Sequence, residues 1–380
     1  EPHRYEAKED QRPPHFVQIG LDFGTSFTKV VCRDVNINKP WIHVPEHPCD
    51  EEVPFLISSS LCSDGRTLSH PKRIDGAYRA NSLAHIKMAL QSIGLGDLKS
   101  PHLAPYKNAL PKGMEIGTFV ECGAVYLLSG ILGEIRNNIA ERFPGQVEGD
   151  QTMVNMAVPV ASADDQRVEA LFKRILHLSW YLSDELKGHP ECLISEIVER
   201  VEVAEQKLNS GEAKELCFIY PEVSANVQGF IRSRSSNPGL YLFSDTGAGT
   251  VDQSLFRFSR KDTGEEFLTY LSAQVLDLGS SRIEELALEY SGKTDWKALD
   301  NFRRLKESGS KNTHINRARQ TIHCELESRS KQTIAIAKMK LTLKKSINDL
   351  RVIFGGGGHC TNPYKISVMK QFDTDIFRID

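Results

Sequence analysis

Two distant stretches of this chain follow one pattern. "IGLDFGTSFTKVV" (19–31) and "LFSDTGAGTVDQSLF" (242–256) each run apolar strand, Asp-x-Gly, small and hydroxyl residues, apolar strand. Each predicts a β-hairpin with an aspartate, Asp22 or Asp245, near the end of its incoming strand. Asp and Gly are ordinary turn residues, so either stretch alone reads equally well as a plain turn or as a phosphate-gripping one. The recurrence is what constrains the fold. A chain that builds the same turn twice, far apart in sequence, is set up to bring two hairpins from two lobes to one cleft.

At 380 residues the chain exceeds what one simple core holds, so two lobes are expected on length as well. Hydrophobic residues at 40% and charged residues at 26% describe a globular chain rather than a disordered one. A net charge of −3 supplies no basic field for nucleic acid and no acidic tail for a basic partner. None of the eight cysteines is paired as C-x-x-C or spaced with histidine as in zinc sites. Several sit in apolar runs such as "KVVCRDV" and "ELCFIY", which predicts buried free thiols and fits a reducing cytoplasm. Without a signal-peptide pattern or a run of 18 apolar residues, the expected location is cytoplasmic, with no membrane.

Along the chain, residues 1–15 read as a polar tail. Residues 16–225 read as lobe I: the first repeat, a helix over 79–94 carrying Lys87, further helices over 119–143 and 162–179, and a buried strand at 153–160. Asn81 or Ser82 is expected to cap the 79–94 helix and Gly94 to end it, and acidic residues fill the first turn of the 162–179 helix. A charged helical insertion falls near 175–215. Residues 226–380 read as lobe II: the second repeat, a polar outer subdomain at about 280–345, and "LRVIFGGGGHCTNPYKISVM" (350–369) as strand, glycine run and helix.

The paired turns suit a phosphate chain. Glycines at 24, 247 and 249 let backbone amides approach an anion, and the hydroxyls of Thr25, Ser26 and Thr250 add donors. An aspartate beside a phosphate is repulsive unless a hydrated Mg²⁺ lies between them. Asp22 and Asp245 therefore read as holding the hydrated metal through water or orienting an attacking water. The glycine run at 355–358, with Gly356, Gly357 and Gly358 at its heart, removes side chains where a flat ring or ribose approaches the backbone; the competing reading is a flexible loop. His359 either touches ribose or base or caps the turn.

In this order the motifs resemble those of the actin, hexokinase and DnaK-type heat-shock chaperone superfamily. "DFGTSFTK" is similar to its first phosphate motif, "DTGAGTVD" to its second, and "FGGGGHCTNP" to its adenosine motif. The DnaK-type branch resembles this chain most. "NSLAHIKMALQSIG" is similar to the segment bearing that branch's catalytic lysine, which implies that role for Lys87. "VNMAVPVASADDQRVEAL" aligns Pro159 with a proline that relays nucleotide state, and "YPEVSANVQGF" aligns Glu222 with a glutamate at the metal and water site. The resemblance covers roughly 16–290 and 350–370. It implies an α/β, two-lobed actin-like ATPase fold, each lobe a mixed sheet with flanking helices around a central nucleotide cleft. It also implies ATP and Mg²⁺ as cofactors.

The departures are specific. Ala248 stands where the family has glycine, and Thr361 where the chaperones carry an adenine-stacking arginine. Glu307 and Lys311 are the adenine-side candidates on "FRRLKESGSKN", one residue off the family spacing. The implied function is a slow DnaK-like Mg·ATPase that couples lobe closure to an unidentified protein partner or client. Alternatives are a nucleotide-controlled actin-like filament protein, a nucleotide-binding module with little turnover, and a small-molecule kinase. Residue by residue, plainer readings stand beside these. Lys87 reads also as a surface lysine, Glu222 as a loop or helix-start carboxylate, and Asp252 equally as a brace for the turn or a metal contact. Lysines 331, 338, 340, 344 and 345 read as a solvated helix face.

Overall fold

The structure, a computed structural model, describes residues 12–49, 51–71, 82–158, 165–210, 216–232, 236–293, 296–341 and 350–370. Most of the expected tail, Asn81, Pro159, Lys344 and Lys345 lie outside them.

The first repeat forms β1 (Phe16–Phe23) and β2 (Phe27–Asp34), an antiparallel hairpin with Asp22 opposite Lys29. Val17, Ile19, Leu21 and Phe23 are all buried on one face of β1, the period-two pattern of a strand covering a core. β3 (Lys39–Ile42) and the short β4 (Ile57–Ser58) pair with β2. β5 (Leu61–Ser63), β6 (Thr67–Ser69) and β7 (Ser82–Leu83) begin a small separate sheet. β8 (Gln151–Val158) lies parallel to β1, β9 (Glu191–Leu193) closes the small sheet against β6, and β10 (Cys217–Pro221) lies parallel to β8.

The second repeat forms β11 (Gly239–Thr246) and β12 (Val251–Arg260), with Asp245 opposite Asp252. β13 (Glu266–Leu276) pairs with β12, and β14 (Leu350–Gly355) lies parallel to β11. The two main sheets share one plan: a hairpin, an antiparallel strand outside its second strand and a parallel strand beside its first. A small residue flanks each aspartate on that parallel strand, Ala157 beside Asp22 and Gly355 beside Asp245.

Helices fill both lobes. In the first are α1 (Ile86–Leu95), α2 (Ala104–Asn108), α3 (Ile116–Arg142), α4 (Gln166–Leu186) and α5 (Ile194–Asn209). α3 is long and apolar enough to cross a membrane, yet 72% of its most apolar window is packed inside the protein. α6 (Glu222–Ile231) joins the lobes. Its Val227 and Ile231 pack on Tyr241, Phe243, Phe256 and Phe258 of the second sheet. α7 (Arg282–Ser291), α8 (Trp296–Glu307), α9 (Thr313–Lys340) and α10 (Tyr364–Met369) follow. Ile283, Ile315, Ile322 and Leu326 from α7 and α9 cover the other face, against Leu240, Leu242 and Leu255. The second hairpin is therefore roofed on both faces, whereas β2 leaves Phe27, Lys29, Val31 and Arg33 exposed.

The mixed α/β class, the two lobes and the cleft between them are as expected; several boundaries are not. α1 begins at Ile86, because Ser82 is spent in β7. It runs through Gly94, where a side chain would meet Val168 of α4 at 3.0 Å, and closes at Gly96 with φ 72°. α4 starts behind Asp165, whose carboxylate accepts the Arg167 amide as an N-cap. The region read as a polar outer subdomain is half core. α9 buries Ser330 and Thr333, which hydrogen-bond Gln253 of β12, so its inner face is written partly in polar letters. Four of the eight cysteines, Cys32, Cys122, Cys192 and Cys217, are buried, and burial pushes Cys32 and Cys122 up to about 12.

Candidate functional site

The two hairpin turns face one cleft of about 2170 Å³ between the lobes. Asp22, Gly24, Thr25, Ser26 and Lys87 line it from one side. Glu222, Asp245, Gly247, Ala248, Thr250, Asp252 and Gly356 to Gly358 line it from the other. Gly249 and His359 do not line it.

The second turn is held from behind. The carbonyls of Gly247, Ala248 and Gly249 accept from the amides of Ser280, Ser281 and Gly279, in the loop before α7. The Gly247 amide donates back to Thr250, while those of Ala248 and Gly249 have no backbone acceptor among the described residues. In the first turn the Gly24 amide donates to Asp22, and those of Thr25 and Ser26 have none. Unclaimed amides at glycine turns are the donors that anion sites use. Glycine is demanded at 24, where a Cβ would lie 2.3 Å from the Phe27 carbonyl oxygen. At Gly249 a Cβ would meet Met88 Sδ and Thr25 Oγ1 at 3.0 Å, so Gly249 is where the two lobes touch.

Lys87 is buried and ion-paired to Glu222, the first residue of α6. Burial alone would lower its pKa, but Glu222, then Asp22 and Asp252, hold it above the ordinary lysine value. One turn along α6, Asn226 donates to Asp245 Oδ2 at 2.7 Å. Asp252 takes the Thr250 hydroxyl on Oδ2 at 2.9 Å, and its buried Oδ1 has no partner among the described residues. Burial first, then Glu222 and Asp22, pushes Asp245 up to about 6. Burial and then Glu222 raise Asp252 as well. Asp22 is half exposed, 3.3 Å from Lys29. Four carboxylates thus share two ammonium groups, with one buried oxygen orphaned. That is a hard-oxygen set with surplus negative charge, and it fits a divalent cation such as Mg²⁺.

The structure revises several expected roles. The Thr250 hydroxyl is committed to Asp252, so it does not stand free for phosphate. Asp252 braces the turn and also offers an oxygen to the cleft. His359 Nδ1 meets the Gly356 carbonyl, so it caps the turn. Three of the four glycines serve packing. A Cβ at Gly355 would come within 2.8 Å of Phe243 Cζ, at Gly356 (φ 74°) within 2.2 Å of Thr246 O, and at Gly358 within 2.6 Å of Thr246 Cγ2. Gly357 alone of the four has nothing within 4 Å, and only there is open room for a ligand. On the adenine side, Glu307 and Thr361 line the cleft, but Lys311 does not. The buried lysine of that helix is Lys306, paired with Glu284 and donating to Ser280 O at 3.0 Å. Asn226 went unread in the sequence, although it stands four residues from Glu222 and so on the same helix face.

No family model matches the sequence, and no curated protein matches it. Among solved structures, one titled "pCBH ParM non-polymerisable quadruple mutant" is similar over 96% of this chain and 94% of its own. Identity is 12% and the TM-score 0.46, a likeness too loose to assign any side chain a role.

Proposed function

We propose that the chain binds Mg·ATP between its two hairpins, hydrolyses it slowly, and couples the nucleotide state to lobe closure and to a protein partner. The observation that carries this reading is the convergence, from both lobes, of Asp22, Glu222, Asp245 and Asp252 on the buried Lys87, beside turns with unclaimed amides. Asp245, Asp252 and Asp22 would hold the magnesium, which when bound neutralises phosphate charge. Amides of the two turns bind phosphate oxygens. Glu222 fixes the Lys87 ammonium, a positive charge in a partly desolvated cleft where it is worth more than in water. DnaK-like coupling to a partner is the finest part of the proposal and rests on the sequence resemblance.

A second reading, binding with little turnover, is favoured by two commitments: Thr250 to Asp252 and Lys87 to Glu222. Thermal melts and phosphate release separate the two. ATP with Mg²⁺ at 100 times its dissociation constant stabilises the fold by about 2.7 kcal/mol if it binds only the folded chain. ATP with chelator should give a smaller gain. No shift with ATP or GTP across a saturating series overturns the nucleotide reading; a shift without phosphate release selects the second.

A further inference from the structure

We propose that His85, His102 and Glu285 form a site for a divalent transition-metal ion, zinc above all, that clamps the two lobes across the cleft. One donor atom from each residue lies within 4.8 Å of the others. All three are half-buried and line the cleft. His85 and His102 belong to the first lobe, their ring centroids 6.1 Å apart. His85 immediately precedes α1, and His102 sits in a 3₁₀ turn, Pro101–Leu103. Glu285 comes from the first turn of α7, in the second lobe.

Two imidazole nitrogens and one carboxylate oxygen make the three-ligand set of an open zinc site, with a fourth position left for water or a ligand. An imidazole binds metal only when neutral. Burial, then His102 and Lys306, holds His85 below the ordinary histidine value. Lys306 is ion-paired to Glu284, and Arg282 Nη1 lies 3.2 Å from Glu285 Oε2. The backbone of His85 is left-handed, at φ 57°. Non-glycine residues rarely adopt that conformation.

Tetrahedral zinc, with bonds of about 2.0–2.1 Å, sets its ligand atoms roughly 3.4 Å apart. The 4.8 Å within which the donors lie leaves room for an ion to draw Glu285 and its helix toward His85. It would act two residues before Lys87, at the entry to that helix. The ligands are remote from one another in sequence, which is why no metal spacing shows in the chain. The site stands whether or not a nucleotide occupies the cleft.

Cobalt(II) titration of the full chain without nucleotide tests this. The expected result is one equivalent bound, with the intense visible bands of a tetrahedral ion and no thiolate charge-transfer band. His85→Asn, which tolerates the left-handed backbone, His102→Ala and the isosteric Glu285→Gln should each weaken binding by at least the roughly 10–100-fold that losing an outer partner costs. Scattering should show zinc contracting the parent but not Glu285→Gln. Thiolate bands, no stoichiometric uptake, or variants that bind like the parent overturn the site. Loss in the histidine variants with Glu285→Gln unaffected, or no contraction of the parent, overturns the clamp.

Discussion

The two hairpins are the same device in two surroundings. In the same register, seven residues after its aspartate, one presents Lys29 and the other Asp252. The first carries its counter-charge on its own exposed edge; Asp22 and Lys29 are 47% and 46% exposed. The second is roofed on both faces, sets acid against acid, and borrows Asn226 and Lys87 from other elements. The same motif therefore does not carry the same electrostatics. What packs on the sheet decides whether its aspartate stands half in solvent beside a lysine or is pressed against other acids.

Changes at four positions break this contrast in order of size. Lys87→Ala removes the cation on which the second hairpin depends. Single-turnover hydrolysis should fall by about 10²–10³, as when one preorganised donor is lost, with nucleotide affinity largely kept. A rate within twofold of the parent would return Lys87 to a packing role. Next, Asp252→Asn should leave the metal-free protein as stable or more so, since a buried charge disappears. It should also shrink the extra melting gain that Mg²⁺ gives to ATP; an undiminished gain would remove Asp252 from the metal set.

Third comes acid, which tests the opposite ends of the sheets. Asp150 accepts Arg12 at 2.6 Å and the amides of His15 and Val147, tying the start of β1 to the start of β8. The Arg12 guanidinium and then those amides, against burial, hold its carboxyl well below the usual carboxylate range. A depressed acid stabilises the fold above its unfolded pKa of about 3.9, and that stability is lost as the pH falls toward the folded value. The equivalent end of the second sheet is held by a bond from Arg351 to the Tyr241 hydroxyl, 3.0 Å, and among the described residues no acid joins it. Below pH 4, hydrogen exchange should therefore open β1 and β8 before β11 and β14, and Asp150→Asn should weaken that dependence. Smallest of all, Lys29→Met, at an exposed pair, should move stability by no more than about 0.5 kcal/mol. A larger loss would show that the first hairpin is as dependent on its cation as the second.

The pattern of residues made the hairpins legible, since alternation and Asp-x-Gly turns are local. Lys87 and Glu222 were legible through flanking resemblance, and they meet. Burial was not. Asp252 read equally as a brace and as a metal contact because nothing local says that helices roof β12 on both sides. The glycine run looked like a bed for a ligand because its packing partners, Phe243 and Thr246, lie a hundred residues upstream. α9 looked like surface because its inner face includes Ser330 and Thr333, whose hydrogen bonds to Gln253 only tertiary structure supplies. Lys306 was passed over for Lys311 because a helix of charges does not announce which lysine points inward.

The touch of Gly249 on Met88 and Thr25 makes the protein a lever. Even a Cβ at that point would stand 3.0 Å from Met88 Sδ and Thr25 Oγ1, so the lobes have little room to approach there by simple translation. Rotation about this fulcrum is the motion left to them, and displacement then grows in proportion to distance from it. A shift of a few tenths of an ångström at the hairpins is multiplied at the outer rim. A side chain grafted onto Gly249 would press on Met88 and Thr25, a shim set between the lobes.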